Sequence, residues 1–342
     1  MRNVSGAIRA ILVSISLAWV FAAAPQSVNS SARAAFIEKM VAQHGFERAE
    51  LAALLDEAVI DRTILEAMAR PAERVVPWFE YRNIFLTDER IAAGVRFWSE
   101  HDDKIAQVAE RYGVAPEMIV AIVGIETYFG TRMGRYRVLD ALSTLAFAYP
   151  PRASFFTSEL EAFLLLARDE DVDARAALGS YAGAMGAGQF IPSSYRAYAV
   201  DADADGKRDL WSNWDDVLGS VANYFAKHGW RAGEPVMERA IRTESFAGPE
   251  PRNRLEVDGT VGSVTELGYV FTTTLPSDAP AAPYSFEAEG GGSEYWVGYH
   301  NFGVVTRYNR STKYALAAHQ LSQAIRARYF ETVARASEDG AQ

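Results

Sequence analysis

Cysteine is absent from the 342-residue sequence. Its absence excludes disulfide bridges, thiolate metal sites, cysteine nucleophiles and a lipid-modified N-terminal cysteine. Positive charge is also scarce, because 34 Lys and Arg residues stand against 44 Asp and Glu residues and leave a net charge of −10. A nucleic-acid partner requires a positive surface, so this balance argues against that class of function. With 49% hydrophobic residues, the chain can form a sizeable core, and its length is typical of about two domains.

Long apolar runs are missing after the first two dozen residues. The early run, residues 10–23, follows Arg2 and Arg9 and ends in small alanines. It is shorter than the ~20 apolar residues needed to span a bilayer, so we interpret residues 1–24 as a secretory signal peptide and an uncleaved membrane anchor as the alternative. The mature protein is then expected to be exported and soluble in the periplasm, since no lipoprotein cysteine is present.

Proline, glycine and apolar periodicity divide the remaining chain into regions. Residues 34–101 have the spacing of several short helices, which we expect to pack as an N-terminal arm. A longer helix is predicted for residues 90–111, with Gly113 as its C-terminal stop, and a new helix is predicted to begin at Pro116.

A change of character follows between residues 233 and 292, where short Val-, Thr- and aromatic-rich runs are separated by Pro, Gly and Asp. We predict a small antiparallel β insertion, with strands at residues 255–257, 269–273 and 284–289. Residues 290–293 are expected to form a flexible exit from it. A final helix, capped by Ser311 or Thr312, is then predicted to complete a mainly α-helical, α+β fold.

One acidic residue lies on an apolar helix face. The predicted helix after Pro116 places Glu126 in line with Ile119, Ile122 and Val123. Partial burial raises the pKa of a carboxyl group, which suits a general acid working near neutral pH. The alternative is a glutamate at a helix end that pairs with Arg132 or Arg135, and the spacing alone leaves both interpretations open.

Two further segments contain residues that are suited to contact a ligand near Glu126. Tyr128 and Phe129 directly follow the glutamate and are suited to flank a sugar ring. Residues 180–195 contain three glycines around Met185 and Gln189, so their backbone can approach a ligand closely. A tight packing turn between helices is the alternative for this glycine-rich segment.

Together these motifs resemble the lytic murein transglycosylase B family, in its soluble and membrane-bound forms. The resemblance covers roughly residues 35–330 and is carried by the following segments: GIETYFG, RYRVLDALSTLAF, SYAGAMGAGQFIPSSY, DLWSNWDDVLGSVANYF and HNFGVVTRYNRS. Two departures are Ile191, where the family usually has methionine, and the missing lipid-attachment cysteine. The resemblance implies a lysozyme-like helical core in residues 102–232, completed by residues 293–336.

The same resemblance implies an enzyme that cleaves the bond between N-acetylmuramic acid and N-acetylglucosamine in peptidoglycan glycan strands. Glu126 matches the family's only catalytic acid. The residues that match its sugar-contacting groove are Tyr81, Ser180, Met185, Gln189, Asn301 and Tyr308. From spacing alone, a tyrosine such as Tyr81 is more often a core residue than a ligand platform.

An aspartate-rich loop forms a separate candidate site for calcium. Asp201, Asp203 and Asp205 with Gly206 match positions 1, 3, 5 and 6 of an EF-hand loop, in which the main-chain carbonyl of position 7, here Lys207, also coordinates. Position 12 departs from the pattern because it is Ser212. The resemblance implies a longer loop closed by Asp215, with Asp216 as a possible substitute, and a solvated acidic turn is the alternative.

The resemblance implies a reaction that needs one carboxyl group and no cofactor. Glu126 first protonates the leaving oxygen and then accepts the proton of the muramic C6 hydroxyl, which attacks C1 and yields a 1,6-anhydro sugar. Three alternatives remain: a hydrolytic muramidase on the same scaffold, a non-catalytic peptidoglycan-binding protein, and a structural calcium-binding protein. Cell-wall synthesis or remodelling proteins are conceivable partners that the sequence does not identify.

Overall fold

The computed structural model describes residues 29–69, 76–244, 246 and 248–339. The predicted signal peptide, residues 1–24, lies outside this described part. Within it, no helix combines the length and the apolar character needed to cross a membrane. The described chain is mainly helical, with one five-stranded antiparallel sheet, as the sequence predicts for an α+β fold.

Short helices form the N-terminal region, as predicted. They are α1 (Ser30–His44), α2 (Arg48–Asp56), α3 (Arg62–Ala69) and α4 (Trp78–Phe85). Helix α1 begins at Asn29, whose side chain accepts a hydrogen bond from the backbone N–H of Ala32. Its buried Phe36 packs edge-on against Phe147 of the central region, with 6.0 Å between ring centroids. These helices are therefore anchored on the core.

The central region is built from seven helices and a short 3-10 turn at Pro150–Arg152. The helices are α5 (Asp88–Glu100), α6 (Asp102–Tyr112), α7 (Pro116–Thr127), α8 (Val138–Ala148), α9 (Ala153–Asp169), α10 (Pro192–Tyr198) and α11 (Trp214–Lys227). Helix α7 lies inside this region, because its residues 118–125 are all buried. A helix that is apolar on every side fits only inside the core.

Helix boundaries agree with the sequence at two positions and differ at a third. Gly113 ends α6 with a φ angle of 66°, and Pro116 is the first residue of α7, as predicted. The single helix predicted for residues 90–111 is wrong, because His101 (φ −123°) separates α5 from α6. Helix α5 packs on α7.

The sheet contains β3 (Met237–Arg242), β4 (Gly259–Thr260), β5 (Tyr269–Val270), β6 (Pro280–Glu287) and β7 (Ser293–Tyr299), in the order β4-β6-β7-β3-β5. A two-stranded pair, β1 (Tyr136–Arg137) and β2 (Leu178–Gly179), is separate from it. Strands are present near two of the predicted runs but not at residues 255–257. The predicted exit at residues 290–293 is wrong: Gly290, Gly291 and Gly292 form the turn of the β6–β7 hairpin, so the sheet continues to Tyr299.

Three helices complete the chain: α12 (Val261–Glu266), α13 (His300–Tyr308) and α14 (Thr312–Asp339). The Ser311 hydroxyl accepts from the backbone N–H of Tyr314, which confirms the predicted cap of the last helix. Helix α14 packs against α5 and α7. It therefore brings the C-terminal region back to the central helix on which Glu126 lies.

Candidate active site

Glu126 lies in the last turn of α7, with its side chain only partly accessible to solvent. Burial raises the pKa of Glu126 from 4.5 to about 7, and a hydrogen bond from Tyr314 acts in the opposite direction. The Tyr314 hydroxyl donates to Oε1 of Glu126 at 2.5 Å. The alternative pairing with Arg132 or Arg135 is not formed, since neither arginine is within ion-pair distance of a carboxylate in the described residues.

Two tyrosines, Tyr314 and Tyr308, lie near this carboxyl group, and Tyr81 lies near Tyr314. Burial raises the pKa of Tyr314 well above its usual range, and the neighbouring Glu126, Tyr308 and Tyr81 add to this rise. Burial also raises the pKa of Tyr308, again with a contribution from Glu126. The structure therefore brings together Glu126, Tyr81 and Tyr308, which the sequence proposed, with Tyr314, which it did not.

The chain turns sharply directly after Glu126. Tyr128 and Phe129 adopt φ angles of 52° and 58°, a region that residues with side chains rarely occupy. The Phe129 ring folds back onto α7 at Gly124, where an added Cβ would come within 2.6 Å of the ring. Glycine at this position therefore makes room for the turn that ends the helix beside the catalytic candidate.

Two hydrogen bonds join the glycine-rich segment, residues 180–195, to this end of α7. The Thr127 hydroxyl donates to the carbonyl oxygen of Ala187 at 2.8 Å. Gln189, itself in the left-handed region with φ 51°, donates from Nε2 to the carbonyl oxygen of Met133 at 3.1 Å. The segment therefore forms one wall of the site, and its position depends on contacts with the residues that follow Glu126.

Side chains predicted for the groove also shape this wall. Ser180 accepts from the backbone N–H of Ala184 at 3.0 Å and so holds the turn of the segment. The Tyr308 hydroxyl donates to the carbonyl oxygen of Gly188 at 2.7 Å. Ser180, Gln189 and Tyr308 are all partly exposed, so each keeps a surface that a ligand can contact.

Two of the predicted groove residues need correction. Met185 is fully buried and belongs to the hydrophobic core. Asn301 is fully buried as well, because its amide bonds the loop before the sheet: Oδ1 accepts from Arg231 N, and Nδ2 donates to the carbonyl oxygens of Arg231 and Glu234, all at 2.9 Å. Neither side chain offers a surface to a sugar, so both act through packing and loop support.

The aspartate loop is largely exposed to solvent. Carboxylate oxygens of Asp201, Asp203 and Asp205 all lie within 4.8 Å of one another. Asp201 accepts from the backbone N–H groups of Asp205 at 3.1 Å and Gly206 at 2.9 Å, and Gly206 has a φ angle of 91°. The loop therefore gathers oxygen ligands of the kind that Ca²⁺ prefers, in a conformation that the glycine permits.

The predicted closing residue, Asp215, does not join the cluster. Its carboxylate forms an ion pair with the Lys104 ammonium of α6. Asp216 closes the loop in another way, because its fully buried carboxylate accepts from the backbone N–H groups of Ala202 and Asp209, both at 2.7 Å. The prediction of Asp215 as a ligand is thus corrected to a contact with Lys104, since the N-terminal turn of α11 faces α6 here.

Comparison with known proteins supports the resemblance. Residues 29–323 match the family described as Transglycosylase SLT domain. The chain belongs to this family. It is 42% identical over 299 residues to membrane-bound lytic murein transglycosylase B of Escherichia coli (strain K12), over 85% of this chain and 81% of that protein. The expectation of an enzyme, a lytic transglycosylase, is therefore confirmed.

Solved structures agree with this assignment. Lytic transglycosylase SltB1 from Pseudomonas aeruginosa superposes with a TM-score of 0.83 at 46% identity, over 86% of this chain and 97% of that one. Lytic transglycosylase SLT35 of Escherichia coli in complex with calcium has a TM-score of 0.80 at 41% identity, over 88% and 94% of the two chains. The mainly helical, lysozyme-like fold implied by the resemblance is confirmed.

Tyr314 was not among the site residues predicted from the sequence, although its position on an apolar helix face indicates a buried hydroxyl group. Tyr314 precedes Ala318, Leu321 and Ile325 on the buried face of α14, and a buried tyrosine hydroxyl normally has a hydrogen-bond partner. That partner is Glu126, which lies 188 residues earlier in the chain. No local pattern connects two residues at this separation.

Proposed function

We propose that this chain cleaves the β-1,4 bond between N-acetylmuramic acid and N-acetylglucosamine in peptidoglycan glycan strands and leaves 1,6-anhydromuramic ends. One observation supports this proposal most directly: burial raises the pKa of Glu126 to about 7. At neutral pH a substantial fraction of this carboxyl group is protonated, while the ionised fraction remains available as a base.

Both roles of Glu126 follow from that pKa. In the first step, its proton passes to the N-acetylglucosamine oxygen as the bond from this oxygen to muramic C1 breaks, and the 2-acetamido group stabilises the positive charge at C1. In the second step, the muramic C6 hydroxyl forms a bond to C1 and returns its proton to Glu126. No water is consumed, because the tethered hydroxyl has a high effective concentration.

A single-carboxyl mechanism agrees with the surroundings of Glu126. Hydrolytic glycosidases commonly use two carboxyl groups on opposite sides of the bond. The pKa of Glu126 is set by burial and by the hydrogen bond from Tyr314, with no contribution from another carboxylate in the described part of the chain. The Tyr314 hydroxyl fixes the orientation of the carboxyl group, so we assign it a positioning role.

Sugar contacts are proposed for the partly exposed residues around this carboxyl. Tyr81 and Tyr308 lie near the Tyr314 hydroxyl, and Ser180 and Gln189 hold the glycine-rich segment that Tyr308 also contacts. Aromatic faces stack on the apolar faces of sugar rings, whereas backbone and amide groups bond the hydroxyl and acetamido groups.

Calcium is proposed as a structural ion. Carboxylates of Asp201, Asp203 and Asp205 and the main-chain carbonyl of Lys207 would hold it, and the reaction itself requires no cofactor. The hydrogen bonds that preform the loop and the calcium complex of the related SLT35 support this proposal. The ion would offset the repulsion among three neighbouring carboxylates and so stabilise the segment before α11.

We also propose that the protein acts in the periplasm, where its glycan substrate lies. The apolar run at residues 10–23 behind Arg2 and Arg9 supports export by a signal peptide. The experiment is N-terminal sequencing of protein from a periplasmic extract. A mature chain that begins close to residue 25 is the expected result, and a full-length chain in the membrane fraction would contradict it.

Product analysis separates this proposal from a hydrolytic muramidase. Purified protein is incubated with cell-wall sacculi, and the masses of the released muropeptides are measured by mass spectrometry. Anhydro ends are about 18 mass units lighter than hydrolysed ends, because one water is not added. Reducing muramic ends would establish hydrolysis, and binding to sacculi without any release would establish a non-catalytic binding protein.

A further inference from the structure

A second cleft lies at the N-terminal end of α7, the opposite end of this helix from Glu126. Its volume is about 600 Å³, a size typical of ligand sites. The turn between α6 and α7, the segment that leads into β3 and the middle of α14 line it. Glu117, in its wall, lies about 14 Å from Glu126 along the helix axis, because nine residues separate them. The cleft is therefore distinct from the glycan site.

Two buried polar atoms of residues that line this cleft have no hydrogen-bond partner within the described part of the chain. They are Nε1 of Trp230 and Nδ1 of His319. An indole N–H can only donate, so Trp230 requires an acceptor. Burial lowers the pKa of His319 to about 4, so its imidazole is neutral near pH 7 and has one donor and one acceptor nitrogen. Buried polar groups are normally bonded, so both atoms indicate a missing partner.

Carboxylates outnumber cations in the lining of the cleft. Glu117, Glu234 and Glu238 face one cation, Arg326, whose guanidinium lies 3.7 Å from the Glu117 carboxylate and offsets its charge. Glu234 has only a distant partner, the exposed Arg231 at 3.5 Å. Glu238 forms no ion pair among the described residues, and burial raises its pKa. The cleft therefore keeps an excess of negative charge and favours a cationic ligand.

Aromatic and apolar groups form much of the remaining lining. Phe330 is 52% exposed on α14, and Trp230 supplies a second ring. The Arg326 guanidinium lies 5.4 Å from the centroid of the Phe330 ring, so a cation is accommodated there. Lysine and arginine side chains combine a charged head with an apolar stem. Aromatic rings beside unpaired carboxylates are suited to bind such side chains.

We propose that this cleft binds a short basic segment of a partner protein, with a Lys or Arg side chain at Glu238 and its main chain at Trp230 and His319. A peptide fits better than a simple diamine, because only the peptide has a carbonyl oxygen to accept from the Trp230 indole. The negative charge of the cleft favours a basic peptide over an acidic one, such as a peptidoglycan stem. Such a partner would hold the protein while the site around Glu126 stays open to glycan.

NMR titration of the protein with three probes tests this site. The probes are acetyl-Ala-Lys-Ala-amide, the same peptide with norleucine in place of lysine, and the diamine cadaverine. The indole N–H signals report binding, and Trp230→Phe identifies the signal of Trp230 among the seven tryptophans of the chain. We expect the lysine peptide to shift this signal and to bind about tenfold more tightly than the norleucine peptide. Added salt should weaken this binding.

Two variants separate the charge from the hydrogen bond. Glu238→Gln should lower the affinity for the lysine peptide about tenfold and leave that for the norleucine peptide unchanged. Trp230→Phe keeps an aromatic ring but removes the N–H, so it should weaken both peptides about fivefold and leave cadaverine unaffected. Glu238 is exposed, so its variant keeps the test valid if the Trp230 variant does not fold. Glu266→Gln, at an exposed position of α12 outside the cleft, removes the same charge and should change nothing.

Three results would overturn the proposal. Without binding of the lysine peptide at millimolar concentration, the cleft holds only water. An equal loss of affinity in Glu238→Gln and Glu266→Gln would reduce the effect to the net charge of the chain. Cadaverine that binds as tightly as the lysine peptide, with or without the Trp230 indole, would establish a site for small cations instead. None of these measurements depends on glycan cleavage.

Discussion

Two groups of carboxyl side chains in this molecule differ in almost every physical respect. Glu126 lies at the end of the buried helix α7, where burial raises its pKa to about 7. Asp201, Asp203 and Asp205 lie on an exposed loop, where the hydrogen bond from Asn213 leads the effects that lower the pKa of Asp203. The first environment favours a bound proton, and the second favours concentrated negative charge.

The comparison shows that the surroundings of a carboxyl group decide its chemistry. A proton donor needs an environment that disfavours the ionised form, and the apolar stripe of α7 supplies it. A cation site needs ionised oxygens held near one another, and the N–H groups of the aspartate loop supply that arrangement. The same functional group therefore serves two purposes at two sites, and each site predicts a different response to substitution.

Replacement of the catalytic candidate is expected to have the largest effect. Glu126→Gln should lower turnover of sacculi about 1,000-fold, because the amide keeps the shape of the side chain but has no proton to transfer. Release of muropeptides per unit time is the measurement. Glu117→Gln, in the first turn of the same helix, is the control and should retain activity. Substantial turnover by the Glu126 variant would remove this residue from the role of acid and base.

The same substitution should stabilise the protein at alkaline pH. In the wild type, the unfolded carboxyl ionises near 4.5 and the folded one near 7, so the free energy of unfolding declines as pH rises through this window. The loss amounts to about 3 kcal/mol above pH 7. Urea unfolding at about pH 8 should therefore show Glu126→Gln to be more stable, with the difference vanishing below pH 4.5. Equal stability at both pH values would argue against a raised pKa.

Removal of the Tyr314 hydroxyl tests the hydrogen bond that lowers the pKa of Glu126 against the effect of burial. The hydrogen bond lowers the pKa of Glu126, so Tyr314→Phe should move the alkaline limb of the pH–rate profile to higher pH and reduce turnover about tenfold. Tyr329→Phe is a matched control, because its hydroxyl donates to Asp102 at 2.8 Å from the same helix. A lower rate with an unshifted profile would indicate a purely structural role for Tyr314.

The aspartate loop should give the smallest effect. Calcium at about ten times its dissociation constant is expected to raise the melting temperature by about 2–4 °C, because it binds only the folded loop. Asp201→Asn combined with Asp205→Asn should abolish this rise, and Asp278→Asn, in an exposed turn of the β region, should preserve it. If a chelator leaves the wild-type melting temperature unchanged, the loop is an acidic turn.

Local patterns were sufficient for much of the fold and for the central residue of the site. Gly113 and Pro116 mark a helix boundary because each has a backbone preference of its own. The helical repeat of 3.6 residues places Glu126 on an apolar stripe whatever the remaining chain does. The prediction of a flexible exit at Gly290–Gly292 is wrong because consecutive glycines are typical both of flexible segments and of hairpin turns, and here they form a turn.

The sequence by itself determined the mainly helical architecture, the partly buried glutamate and the spacing of the aspartate loop, because each depends on residues close together in the chain. Tertiary structure alone decided that Tyr314 bonds Glu126, that Asn301 supports a loop, that Asp215 pairs with Lys104 and that Trp230, Glu238 and His319 line one cleft. These contacts join distant segments, so they exist only once the helices have packed and fixed which side chains are buried beside one another.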